Sequence, residues 1–135
     1  DGGVGARMLL LLETPGPSIG RTGLVSRDNP TGTAANLFRF LREAGIARAD
    51  TLIWNAVPWV IHAEGALNRA PRAAEQRRGL VHLEPLLALL PSLRVAVLSG
   101  RVAGLARRLA PGKPILMSNK ALSLALNGRL EEAAA

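Results

Sequence analysis

The chain has 135 residues, 48% of them hydrophobic and none of them cysteine, with 17 basic side chains against 10 acidic ones for a net charge of +7. That is enough apolar material for one compact domain, and it excludes disulfides, thiolate zinc sites, iron-sulfur clusters and a cysteine nucleophile within the chain. No apolar stretch reaches the roughly 18 residues of a membrane span and no signal core opens the chain, so the expectation is a soluble protein in a reducing, cytoplasmic setting. The first predicted element is Met8-Leu9-Leu10-Leu11-Leu12, a short continuous apolar run closed by Glu13-Thr14-Pro15-Gly16-Pro17. Such a run reads as a buried strand of a parallel sheet. Glu13 then falls at the carboxyl end of a strand, the side of an open α/β sheet where ligands bind, with a stiff turn behind it. Because the chain opens on Asp1-Gly2-Gly3 directly before a strand, it reads as a single domain, residues 1–135, lacking an N-terminal helical segment.

Ser18 to Gly32 reads as a loop, with a turn at Asp28-Asn29-Pro30. Leu37, Phe38, Leu41 and Ala44 recur at helical spacing and predict a helix over Ala34 to Ala44, capped by Thr33 and stopped by Gly45. Asp50 to Val57 is rich in strand formers, and Pro58 cannot continue a central strand, so Asn55 falls at a second strand end. His62 to Pro71 is a loop. Arg72 to Leu90 carries a helical pattern broken or bent near Pro85. Leu93 to Leu98 is a third strand ending at Ser99-Gly100. Val102 to Leu109 is a helix with Gly112 near its stop, Pro114 to Met117 a fourth strand ending at Ser118-Asn119-Lys120, and the tail from Leu124 is helical near its end. Alternating strands and helices at these spacings predict an α/β fold: a central four-stranded parallel sheet with right-handed crossovers, covered on both faces in three α/β/α layers.

Parallel strands bring Glu13 to Pro17, Asn55 to Pro58, Ser99 to Arg101 and Ser118 to Lys120 to one rim. An Asn there pairs bidentately with an imide or amide edge, backbone N–H groups hold a carbonyl oxygen, and a carboxylate orients a water. Taken singly, Asn55 also reads as a turn or cap residue, and Glu13 as an exposed strand terminus or one half of an ion pair with a nearby Arg. Fifteen of the 17 basic residues are Arg. Guanidinium forks match phosphate oxygens, which favours nucleic acid as partner; an Arg-rich surface is otherwise a solvated face typical of GC-rich coding.

Four runs, in order and at matching spacing, carry a resemblance that covers most of the chain: Glu13-Thr14-Pro15-Gly16-Pro17, Trp54-Asn55-Ala56-Val57-Pro58-Trp59, Asn68-Arg69-Ala70-Pro71 with Glu75, and Leu98-Ser99-Gly100-Arg101-Val102-Ala103. The chain resembles the uracil-DNA glycosylase superfamily, in the branch near the iron-sulfur and mismatch-tolerant enzymes. The resemblance implies a monofunctional glycosylase of base excision repair, a monomer acting on uracil-containing DNA without metal or organic cofactor, whose target base is flipped into the strand-end pocket. By that likeness Asn55 reads uracil N3–H and O4, Glu13 orients or activates the water that attacks C1′, and N–H groups near Thr14, Pro15 and Gly16 cover O2. The Ser26 to Pro30 loop corresponds to the segment that gives many relatives a stacking Phe. No aromatic stands there, so stacking falls to the Asn29 amide, to Trp59 or to another residue.

Two departures from the family pattern bear on mechanism. Trp59 and Gly79 stand where the iron-sulfur branch has cysteines. Aligning Ser123 to Asn127 with the end of the second motif puts Lys120, or Asn119 with one residue of slippage, where a His stabilises charge on uracil O2. His62, in a loop, and His82, within a helix, do not replace it. The segment after that motif enters the minor groove in relatives, which nominates Leu122 or Leu124 as wedge with Ser123 and Asn127 beside them. Trp54 reads as core and Trp59 as a pocket residue, and Arg77 and Arg78 read as solvated helix charges. The leading expectation is the enzyme; a weakened relative that holds uracil or damaged DNA without cleaving it, and an α/β domain binding nucleic acid nonspecifically, are the alternatives.

Overall fold

The computed structural model describes residues 1–100 and the strand backbone of 115–117. Strand β1 (Met8–Leu12) runs parallel to β2 (Thr51–Asn55) on one side and β3 (Val95–Leu98) on the other, with Leu12 opposite Asn55 and Leu11 opposite Leu98. A three-residue β4 (Ile115–Met117) pairs parallel with β3, Leu98 opposite Met117, so the strand order is β2-β1-β3-β4. The polyleucine run is apolar throughout because both of its faces are covered. Leu9 and Leu11 pack with Leu83, Leu90, Leu93 and Leu98 on one side, while Leu10 packs with Leu37, Leu41, Ile53 and Val97 on the other.

The elements follow the expected order with corrected ends. The loop after β1 contains one helical turn, α1 (Ile19–Thr22), closed by Gly23. Helix α2 (Gly32–Glu43) starts earlier than the apolar spacing implies and is capped by Thr31, not Thr33: Thr31 is extended, and its Oγ1 accepts from Ala34 N at 3.1 Å. Pro30 keeps the residue before it out of the helix, so the first hydroxyl able to reach an orphan N–H is that of Thr31. The stop is where Gly45 implies, with Ile46 N bonded to Leu41 O and Gly45 N to Arg42 O. β2 is Thr51–Asn55 and β3 is Val95–Leu98, both shorter than read from propensity.

The helical stretch after Pro71 breaks before Pro85 and not at it. Helix α3 (Ala73–Leu80) ends at Val81, and α4 (Leu83–Ala88) takes Pro85 into its first turn. A proline there needs no N–H partner, but its ring would strike the carbonyl four residues back, so the continuous helix must end upstream. His82 therefore stands at the N-cap position of α4, without a side-chain capping bond, instead of lying within a helix. The expected helices at 102–109 and near 124–135, and the Gly112 stop, lie outside the described residues. Among the described residues no helix is long and apolar enough to cross a membrane.

Candidate active site

At the carboxyl ends of the strands the ladder continues past β1 and β2. Ala56 N bonds to Leu12 O and Val57 N to Glu13 O, while Ser99 N bonds to Leu11 O. Three chain exits are thereby pinned side by side, and the turn Thr14-Pro15-Gly16-Pro17 follows directly on the first of them. Within Thr14–Pro17 only Thr14 and Gly16 own an N–H, since the two prolines have none.

Two cavities open on this rim. The first, about 300 Å³, is walled by Thr14, Pro15, Gly16 and Pro17 on one side, by Ser26, Asn29 and Thr31 on another, and has Asn55 in its wall. Asn55 is 3% exposed, and its Oδ1 is buried with no hydrogen-bond partner among the described residues. An unpaired buried acceptor costs about 1–3 kcal/mol, so a side chain kept in that state calls for a ligand. The Asn29 amide, also in the cavity wall, is fixed by a 2.7 Å bond from its Nδ2 to Leu24 O.

The second cavity, about 380 Å³, adjoins the first and is lined by Glu13, Thr14, Asn68, Arg69, Ser99 and Gly100. Leu12, Thr14, Thr33 and Asn68 line both cavities. Asn55, opposite Leu12 in the sheet, and Glu13, one residue beyond Leu12, thus line neighbouring chambers instead of one. Between them stands a contact that propensity does not disclose: Asn68 Nδ2 donates to Thr14 Oγ1 at 3.0 Å. In the sequence Asn68 opens the run Asn68-Arg69-Ala70-Pro71 that shares in the family resemblance, but that run says nothing of which surface Asn68 meets.

The Asn68 loop is held by an ion pair. Arg69 grips Glu75 through both guanidinium nitrogens, at 2.9 and 2.6 Å, and Glu75 also accepts from Arg72 N at 2.6 Å. Arg69, then the Arg72 N–H, hold the Glu75 carboxyl down to about 2 from an ordinary 4.5. The opposite wall has its own clamp. Arg27, 6% exposed, donates from Nε to Asp1 Oδ1 at 2.9 Å and reaches Thr51 Oγ1 with its NH2, while Arg48 binds both Asp1 and Asp28. Burial pulls the Arg27 guanidinium below its usual value and Arg48 pushes the same way; Arg48 in turn holds Asp28 low. Ser26 and Asn29, flanking this clamp, are the residues that face the cavity.

The family model of the uracil DNA glycosylase superfamily matches residues 1–128. The chain belongs to the uracil-DNA glycosylase superfamily. No individual curated protein matches it. Membership points to glycosylase chemistry on DNA, and the first cavity holds the expected Asn55, Thr14, Pro15, Gly16 and Asn29 of this superfamily member together. Trp59 is a correction. It does not line either cavity; its ring meets His82 edge-on at 6.2 Å and lies under the Arg78 guanidinium at 5.4 Å. The polypeptide turns at Pro58 and carries Trp59 to the α3–α4 side, where Trp54 also packs. His62 and His82 line neither cavity; His62 bonds its own loop through Nδ1 to Ala63 O at 2.9 Å. Asn119, Lys120, Leu122, Ser123, Leu124 and Asn127 lie outside the described residues.

Proposed function

We propose that the chain is a monofunctional uracil-DNA glycosylase that hydrolyses the N-glycosidic bond of a flipped uracil, built as a three-layer α/β/α domain on a four-stranded sheet. One observation carries this reading: the buried, unpartnered Asn55 Oδ1 in the wall of a cavity that the Thr14–Pro17 turn also lines. An amide so placed accepts from uracil N3–H and donates to O4, and cytosine, which lacks that donor, leaves the acceptor unpaired. The Thr14 and Gly16 N–H groups face O2. In the adjoining cavity Glu13 orients a water and takes its proton as the water oxygen bonds to C1′; the C1′–N1 pair leaves with the base, and the charge gathers on uracil O2. Lys120, or Asn119, receives that charge at the exit of the last strand. Leu122 or Leu124, with Ser123 and Asn127, fills the gap left in the duplex.

Single-turnover uracil release from single- and double-stranded oligonucleotides tests this. The parent releases uracil; Asn55→Ala is about a hundredfold slower, from two lost hydrogen bonds at about 1–1.5 kcal/mol each. Of Lys120→Ala and Asn119→Ala, one loses about a hundred- to a thousandfold, the cost of an oxyanion donor. Both at the parent rate overturns the position given to the second motif. Tight binding of uracil-containing DNA without release makes the protein a weakened binding relative instead.

A further inference from the structure

We propose that Gly100 is a positioning residue for Glu13: its missing side chain is the seat of the Glu13 carboxylate. The proposal deepens the preceding reading and rests on it for the role given to Glu13. β3 ends at Leu98, Ser99 N is tied to Leu11 O at 2.9 Å, and the chain then turns at Gly100 with φ +92°. A Cβ built on Gly100 would lie 2.6 Å from Cγ, Cδ and Oε1 of Glu13. Carbon atoms do not approach side-chain atoms that closely, so the bare Cα surface of Gly100 and the Glu13 carboxylate occupy one another's space. Both line the second cavity, where the turns after β1 and β3 meet.

Two reasons therefore require glycine here, and they have different consequences. The positive φ is a backbone demand that affects folding. The contact is a demand on where the carboxylate rests, and it affects chemistry. Glu13 is a flexible side chain on a pinned backbone, its own carbonyl being held by Val57 N at 2.9 Å. A methyl group at position 100 consequently moves the carboxylate and leaves β1 in register. A displacement of about 1 Å in a group that aims a nucleophile costs on the order of a hundredfold in rate.

The test uses the full chain. Gly100→Ala, and Gly100→Asn as the variant that tolerates left-handed backbone better if the first does not fold, are assayed for single-turnover uracil release and for affinity toward uracil-containing DNA. The expected result is a rate lower by about ten- to a hundredfold with affinity unchanged, and no further loss when either change is added to Glu13→Gln. The carboxyl 13C resonance of Glu13, identified by its disappearance in Glu13→Gln, shifts in the Gly100 variants of the free protein and stays in place in Ser92→Ala, an exposed change outside the site. A rate that is unaffected, or that falls equally in the Glu13→Gln background, overturns the proposal, and so does an unmoved resonance. A parent that releases no uracil defeats the functional reading, and the resonance then decides the positioning by itself.

Discussion

Asn55 shows what a single side chain can reveal. It sits in the last position of β2, where an apolar residue would pack without cost, and instead buries an acceptor that nothing in the described residues satisfies. On the proposed reading stability is given up at that position for uracil recognition, which sets a signed prediction. Asn55→Leu, similar in size and without the orphan acceptor, raises the thermal midpoint while abolishing uracil release; a lowered midpoint with release retained contradicts the assignment. Gly79 makes the opposite case. Buried in α3, it faces the backbone of the β2 exit, where a Cβ would collide with the Ala56 carbonyl oxygen and lie 2.9 Å from Val57 Cα. Helix propensity favours alanine over glycine by about 1 kcal/mol, yet Gly79→Ala is expected to destabilise by about 1–3 kcal/mol, because backbone cannot move aside as a side chain can. Urea unfolding of the two proteins measures the sign.

At the scale of elements, the site depends on how α3 begins. Arg72 stands at its N-cap with no acceptor to offer, so the helix start relies on Glu75, which accepts from Arg72 N and holds Arg69 as well. Glu75 has a folded value of about 2 against an ordinary 4.5. A carboxyl depressed on folding stabilises the native state above its unfolded value, and that contribution is lost as the pH falls through its folded value. The stability difference between the parent and Glu75→Gln is therefore full above about pH 4.5 and closes towards about pH 2, as followed by denaturant midpoints across that range. Losing the Arg69 tether also loosens the loop that brings Asn68 to Thr14, so uracil release by Glu75→Gln falls at neutral pH too. The break between α3 and α4 belongs to this scale. Pro85 forbids a continuous helix, and the resulting bend places His82 against Trp59.

For the whole molecule, charge and layering matter most. Several basic side chains are spent on internal pairs: Arg27 and Arg48 on Asp1 and Asp28, Arg69 on Glu75, Arg7 on Asp50 at 4.0 Å. Arg21, Arg72, Arg77 and Arg94 remain exposed. With a net charge of +7, the chain has charge left for phosphates after its own acids are matched. Affinity for uracil-free duplex should fall linearly on a log–log plot against salt with a slope of about −2 or steeper, at about −0.9 per phosphate neutralised, and a salt-independent affinity would refute an electrostatic grip. The two apolar clusters on either side of β1 explain why its five residues are all leucine or methionine, a central strand having no solvent face.

The run Met8–Leu12, the Pro and Gly punctuation after it and the alternation of strand and helix patterns were enough to read a parallel α/β sheet, with Glu13 and Asn55 at neighbouring strand ends, because periodicity and breakers are local properties of the chain. Family membership was legible for the same reason, through short runs in a fixed order. Other features required the folded molecule. That Thr31 caps α2, that Trp59 turns away from the cavity, that Asn68 meets Thr14 across 54 residues and that Gly100 abuts Glu13 are contacts between segments remote in sequence. Such contacts are set by which surfaces the sheet brings together, a quantity that no local pattern contains.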